Sequence, residues 1–445
     1  MRRHRFHFVT LLLALALALA AVAAGCGGDG DDGGSAGGET TGTAEGSGGA
    51  SGSISIMGVW TGPEQKAFQA VLDGFSEQNP DVDVKYTSAG DQLPTQLSTA
   101  VEGGNPPDMA LLPQPGLVKD FVGKDALKPL DFAQEDVQTN LGEDAVALGT
   151  VDGTLYGFVF KASNKSTVWY NVKAFEDAGV EPPETFDDLV AAAETVNASG
   201  IPAYSIGGAD GWTLTDLFEN IYLRQAGPEK YDQLSTHEIP WTDQSVKDAL
   251  TTMAEIVGDD ANIVGGTAGA LQTDFPTSVS NVFSDSPKAA IVIEGDFVPG
   301  AVESSLEPET GYNVFPFPAI NDSPAVVVGG GDTLVLFNDT PATQALAKYL
   351  TTTEAAQIWA EIGGFASLNK ELDPSVFPDP IQQTTAGAIA EAETFRFDLS
   401  DLQPAEFGGT VGQGMFKLFQ DFLKTPDNVD GIAQQLEAAA KKAYG

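Results

Sequence analysis

Between Ser53 and Leu112, short apolar runs alternate with segments whose apolar residues recur at helical spacing, and this alternation narrows the possible folds more than any other feature of the chain. Ser53 to Met57 reads as a strand. Phe68, Val71, Leu72 and Phe75 then recur every three or four residues behind Pro63, a residue suited to a helix start. Asn79-Pro80 stops that helix, Val82 to Tyr86 is the next strand, Leu93 to Val101 the next helix, and Met109 to Leu112 the third strand. Strands joined through single helices pair in parallel, so an α/β fold with mostly parallel sheets and flanking helices is predicted. Ligands of such sheets bind beyond the carboxyl ends of the strands. Those ends are the loops Trp60 to Glu64, Ser88 to Asp91 and Pro113 to Gly116, so one rim should gather their polar and aromatic side chains.

The stretch Thr150 to Asn171 is expected to carry the chain over a cleft into a second lobe. Asp152-Gly153 is a tight-turn pair, Leu155 to Phe160 an aromatic-rich buried strand, and Ser166 to Tyr170 a second strand. The polar run Lys161 to Lys165 between them should lie at strand ends, outside any core. An ordinary surface hairpin is the alternative reading of the same residues.

Arg2, Arg3 and Arg5 precede the apolar run Phe8 to Ala24, the layout of a secretory signal peptide over residues 1–25. Its end, Ala23-Ala24-Gly25-Cys26, resembles a bacterial lipobox, which implies lipidation of Cys26; the alternative is a plain signal with Cys26 incidental. Cys26 is the only cysteine, so a disulfide framework, a Cys-based zinc site and a thiol nucleophile are excluded from the folded body. Residues 26–52 are almost wholly Gly, Ser, Ala, Thr, Asp and Glu, a composition that cannot bury a core and reads as a tether. The remaining length exceeds what one core usually holds, so two lobes are expected. A formal net charge of −41 disfavours nucleic acid and anionic lipid as partners. No further apolar run is long enough to span a bilayer.

Beyond the crossing, Val172 to Gly179 reads as a helix closed by glycine, and Thr185 as the cap of a helix running to Asn197. Ile201 to Ile206 is a predicted strand, followed by the loop Gly207 to Trp212 and a helix-rich region to Pro287. Lys288 to Ile293 reads as a buried strand entering Glu294-Gly295-Asp296-Phe297, with further strands at Tyr312 to Phe317 and Val326 to Val328. These strands are taken as the return to the first lobe. That lobe then spans 53–157 and 289–349, and the second spans 158–288 and 350–445.

Six blocks, VWYN (168–171), GWTLTDLFENIYLRQAGPEKYD (211–232), HEIPW (237–241), VVGGGDT (327–333), EAAQIWAEIGGFASLNK (354–370) and ETFRFDLSDLQPAE (393–406), resemble the family 1 extracellular solute-binding proteins of bacterial carbohydrate ABC importers. The similarity is greatest to the alpha-glucoside-type branch, related to maltose-binding protein. It implies a two-lobed periplasmic-binding-protein-like fold of type II with the ligand cleft at the hinge. It also implies a lipid-anchored, extracytoplasmic monomer that captures an alpha-glucoside or other small oligosaccharide and delivers it to separate permease and ATPase subunits, without enzymatic activity or a cofactor. Two departures separate the chain from the maltose type: Pro113-Gln114-Pro115-Gly116 stands where that type carries an Asp-Arg pair, and Phe297 where it carries Trp.

A sugar presents apolar C–H faces and hydroxyl edges, so its site needs aromatic platforms and fork-shaped polar groups. Trp60, Trp212 and Phe297 are the candidate platforms; Trp359, at helical spacing in an apolar stretch, is assigned to the core. The polar candidates are Glu64, Asp91, Gln114, Glu294, Asp332 and Arg396, with Lys161 and Asn164 as weaker members. Arg396 has a salt bridge to Asp398 or Asp401 as its alternative role. Gly329-Gly330-Gly331 permits either close approach to a ligand or a sharp turn. A surface-anchored glycoside hydrolase and a receptor for a non-sugar solute are the competing functions. His237 is the only histidine outside the signal peptide, so no histidine cluster can hold a metal, and the elbow-like Gly33 to Gly37 lies in the tether.

Overall fold

The computed structural model of this protein describes residues 50–445 apart from 285, 303, 304 and 393. The signal-peptide, Cys26 and tether assignments therefore lie outside the described residues up to residue 49. Eleven strands occur in the described chain: β1 (Gly52–Gly58), β2 (Val82–Ser88), β3 (Met109–Leu112), β4 (Thr150–Val151), β5 (Thr154–Leu155), β6 (Gly157–Asn164), β7 (Thr167–Asn171), β8 (Ile291–Ile293), β9 (Tyr312–Pro316), β10 (Val326–Leu336) and β11 (Thr394–Phe397).

The first sheet has the order β11-β10-β3-β1-β2, with β6 also paired to β10. The predicted alternation is observed here: β1 pairs in parallel with β2 and β3, and Phe68, Val71, Leu72 and Phe75 of the helix Gly62–Gln78 are buried. In β1 the isoleucines Ile54 and Ile56 point inward and Ser53 and Ser55 outward, as a strand with one covered face requires. Strand β10 pairs in parallel with β11 and antiparallel with β3 and β6, and its eleven residues let it serve all three.

The second sheet, β8-β7-β9, is antiparallel in both pairings, which corrects the expectation of a mostly parallel sheet in each lobe. Among the described residues, the isolated parallel bridges at this sheet are Pro308 to Tyr312 and those from Tyr204 to Ile263 and Ile291. The predicted strand Ile201 to Ile206 is reduced to the bridges from Tyr204, since Pro202 has no N–H for a ladder. Two further expectations change with the pairing. Strands β8 and β9 sit on β7, away from the first sheet, because their apolar faces close over Val168 and Trp169; the chain regains the first sheet only at β10. The helix Thr353–Ala360, expected in the second lobe, packs on the helix Gly62–Gln78 and buries Trp359 beside Trp60, so Trp359 is a core residue as predicted.

Asp152 and Gly153 form the turn between β4 and β5 with φ of 50° and 82°, the two-residue geometry expected of that pair. From β6 to β7 the chain passes between sheets over Lys165 and Ser166 alone. The polar run was expected at strand ends, yet Lys161, Ala162, Ser163 and Asn164 are all buried within β6. Their neighbours explain it: β6 lies against Gly329, Gly330 and Gly331 of β10. A Cβ on Gly331 would come 2.8 Å from the Lys161 carbonyl, and one on Gly329 would strike the Phe395 ring at 2.1 Å. The triple glycine is thus not a turn but the close seat of one strand on another, and Gly331 also borders a cavity.

Candidate ligand-binding site

A cavity of about 580 Å³ lies where loops from both sheets face each other. Its first-sheet rim is built from Trp60 to Glu64 after β1, Gly90 and Asp91 after β2, and Pro113 and Gln114 after β3. These are the three carboxyl-end loops expected from the strand–helix alternation. The opposing wall is aromatic: ring centroids of Trp212, Phe275 and Phe297 stand 5.4, 6.0 and 5.4 Å apart around the triangle. Trp212 opens the helix Trp212–Ser235 and Phe275 opens the helix Phe275–Val282, so both rings are held by backbone that is fixed just inside a helix start.

The polar floor is built on two lysines. Lys161 Nζ lies 2.6 Å from Glu64 Oε1, and its side chain is 5% exposed. Burial opposes its charge, but the carboxylates of Glu64 and Asp332 hold its pKa above the usual value. Lys165 Nζ lies 2.5 Å from Asp398, 3.1 Å from Asp216 and 4.0 Å from Asp401. These carboxylates outweigh burial and raise it well above the usual range. Asp332 is pushed up to about 6, mainly by burial, with Lys161 acting against that shift. At the mouth, burial and then the neighbouring Asp91 push Asp210 up to about 7, although its Oδ2 accepts the Phe275 N–H at 2.6 Å.

Seven of the nine expected ligand residues border this cavity: Trp60, Glu64, Asp91, Gln114, Trp212, Phe297 and Asp332. Trp60 does so only by an edge. It is 2% exposed, with Phe68, Tyr86, Phe160 and Trp359 around its ring, so the expected platform is a core side chain whose N–H serves Asp332. Gln114 is buried against Gly409, where a Cβ would fall 1.7 Å from its amide oxygen, and it reaches Asp401 by a hydrogen bond.

Glu294 and Arg396 do not border the cavity. Glu294 is buried behind the aromatic wall beside a void of about 20 Å³ that it shares with Tyr204. Arg396 lies on β11, where a loop was expected, and forks onto Asp232 at 2.5 and 2.8 Å. Neither Asp398 nor Asp401 is its partner; Asp398 caps the helix Leu399–Leu402 and turns inward to Lys165. Of the weaker candidates Lys161 lines the cavity, whereas Asn164 is used in accepting the Ser166 N–H. Lys165, Asp210, Phe275 and Asp401 also border the cavity and are absent from the candidates drawn from the sequence. With only 22 lysines and arginines against 63 acids, a lysine directly after a buried strand was the available signal for Lys165.

Asp216, Glu219 and Asp398 present oxygens within 4.8 Å of one another, close enough to hold an ion. Lys165 already supplies a cation there, and Glu219 accepts the N–H groups of Leu399 and Ser400 at 2.7 and 3.0 Å. The cluster therefore anchors the start of the helix Leu399–Leu402 beneath the cavity.

Residues 60–357 match the family model for bacterial extracellular solute-binding protein. The chain is 33% identical over 370 residues to the osmoprotective compounds-binding protein GgtB of Synechocystis sp., covering 82% of this chain and 86% of that one. It is 33% identical over 378 residues to the alpha-glucosides-binding periplasmic protein AglE of Rhizobium meliloti, covering 82% and 81%. Among solved structures, the bacterial solute receptor AcbH superposes with a TM-score of 0.78 at 20% identity, covering 89% of this chain and 100% of that one. The GacH receptor of Streptomyces glaucescens superposes with a TM-score of 0.69 at 20% identity, covering 88% and 99%. The fold is thus the mixed α/β, type II periplasmic-binding-protein fold expected from the sequence. Sequence match and fold together lead to one conclusion: the chain belongs to the bacterial extracellular solute-binding protein family.

Proposed function

We propose that this protein is the extracytoplasmic receptor of an ABC importer that captures an alpha-glucoside or other small oligosaccharide in the cavity between its two sheets. The observation that carries this reading is the facing of an aromatic wall, Trp212, Phe275 and Phe297, and a carboxylate-rich rim, Glu64, Asp91 and Asp332, across one cavity. Such a pair matches the apolar face and hydroxyl edge of a sugar ring. AglE, an alpha-glucosides-binding protein, and GgtB, an osmoprotective compounds-binding protein, support the class.

In this reading the two cores are lobes that hinge at Lys165-Ser166 and at Gly329 to Gly331. The first lobe holds β1 to β6 and the helix Thr353–Ala360; the second holds β7 to β9 with the helices from Val172 to Val282 and the C-terminal helices. Sugar contacts to both lobes favour the closed form. The closed monomer then meets separate permease and ATPase subunits, and a lipid on Cys26 holds it at the membrane. No cofactor or catalytic residue is invoked.

A thermal-shift screen against alpha-linked disaccharides tests the reading, because a ligand at about 100 times its Kd adds about 2.7 kcal/mol to stability. A raised midpoint with at least one such sugar is expected. A flat response to all of them, with a shift given by amino acids or peptides, would overturn it.

A further inference from the structure

The cations that border the cavity are each already paired with a carboxylate. Among the described residues lining it, Lys161 and Lys165 are the only basic ones, against the carboxyl groups of Glu64, Asp91, Asp210, Asp332 and Asp401. Lys161 donates to Glu64, and its ammonium lies 5.5 Å from the Phe297 centroid and 5.4 Å from that of Trp359. Lys165 donates to Asp216 and Asp398 and lies 5.7 Å from the Trp212 centroid. Carboxylates and ring faces thus enclose both ammonium groups. An anionic ligand would compete with these carboxylates for either ammonium, and would bring its own charge toward the further acids Asp91 and Asp210.

The opposite holds for a positive ligand group. Asp210 is hydrogen-bonded to Asp91, so the two carboxyls hold a proton between them and still present negative charge at the mouth, with Asp274 as a further acid nearby. Phe275, whose N–H fixes Asp210, belongs to the aromatic wall. Carboxylates beside exposed ring faces attract an ammonium group through both charge and the ring quadrupole.

We infer that the cavity selects among ligands by the sign of their charge: it admits neutral glycosides, prefers one carrying a primary amine, and rejects uronic acids and sugar phosphates. This inference rests on the reading of the cavity as the sugar site and adds a chemical class to it. The amine is assigned to the Asp91 and Asp210 side of the mouth.

The test is calorimetric titration of the full mature chain with trehalose, maltose and sucrose, each as the parent sugar, as a primary-amine derivative and as the uronic acid at the same carbon. For any parent that binds, its amine derivative is expected to bind more tightly and its uronic acid about 100-fold more weakly. The amine advantage should shrink as salt is raised, because the mouth is open to solvent. Asp91→Asn and Asp210→Asn should each bring the amine-to-parent ratio toward one. A uronic acid that binds within about twofold of its parent would overturn the charge selection and leave sugar binding standing. Binding of amines alone would keep the charge selection and overturn the neutral-sugar reading; no binding by any member of the panel would remove both.

Discussion

The indole N–H of Trp60 donates to Asp332 Oδ2 at 2.9 Å, tying the loop after β1 to the middle of β10. Asp332 is thereby fixed next to Lys161 with its carboxyl toward the cavity. Trp60→Phe keeps most of the packing but leaves a buried carboxyl without its donor, so a loss of about 1–3 kcal/mol in unfolding free energy is expected. Urea unfolding of the ligand-free protein measures it. A variant as stable as the parent would show that the bond does not hold Asp332.

Gly331→Ala addresses the seat of β10 on β6. The added methyl would stand 2.5 Å from Val159 Cγ1 and 2.8 Å from the Lys161 carbonyl, and the second contact is backbone that cannot swing away. Overpacking of this kind costs about 1–3 kcal/mol. Thermal unfolding should show that loss, while an unchanged midpoint would mean that the strands separate more easily than their pairing suggests.

Much of the first sheet was legible because it is specified locally. Its strands alternate at period two, its helices repeat near period four, and proline and glycine mark the joins, so β1 to β3 and the three rim loops could be placed from residues close in sequence. Trp359 was legible for the same reason. The burial of Lys161 to Asn164 was not, because the room for them is made by glycines of a strand far along the chain. Arg396 was misread because its partner, Asp232, lies 164 residues away, while Asp398 and Asp401 lie close by in sequence. Trp60 shows the converse limit: a tryptophan in a strand-end loop can still have its ring covered, and only the packing of Phe68, Tyr86 and Trp359 shows that it does.

The buried acids give a pH dependence of definite sign. Asp210 is pushed up to about 7 by burial and then by Asp91, and Asp296 is pushed up to about 7 by burial, from an ordinary value of 3.8. Each keeps in the folded state a proton that the unfolded chain has already lost. Their contribution is therefore full below about pH 4 and is lost as pH rises through about 7. The ligand-free protein should melt at a higher temperature near pH 5 than near pH 8, and Asp210→Asn should reduce the difference. Asp398 acts in the opposite sense: despite burial, Lys165 holds it below the usual carboxylate range, so its contribution is lost as pH falls below about 4. A midpoint that climbs steadily from pH 5 to pH 8 would contradict the protonation of Asp210 and Asp296.

Lipidation of Cys26 is checked by expressing the full chain in a bacterium with lipoprotein processing. The parent should partition with membranes and carry a modified N-terminal cysteine by mass spectrometry. Cys26→Ser should be released in soluble form. A membrane-bound Cys26→Ser, or an unmodified N-terminus beyond Cys26, would contradict the anchor.

The central claim is that sugar binds between the two sheets against Trp212. Its most direct test is calorimetric titration of the sugar identified by thermal shift into the parent and into Trp212→Ala. Trp212 packs at 5.4 Å from Phe275 and 6.0 Å from Phe297, so losing it removes one side of the aromatic wall. A loss of about 1–3 kcal/mol in binding free energy is predicted, the range for removing one large apolar contact surface. Unchanged affinity in a folded Trp212→Ala would contradict the assignment of this cavity as the ligand site.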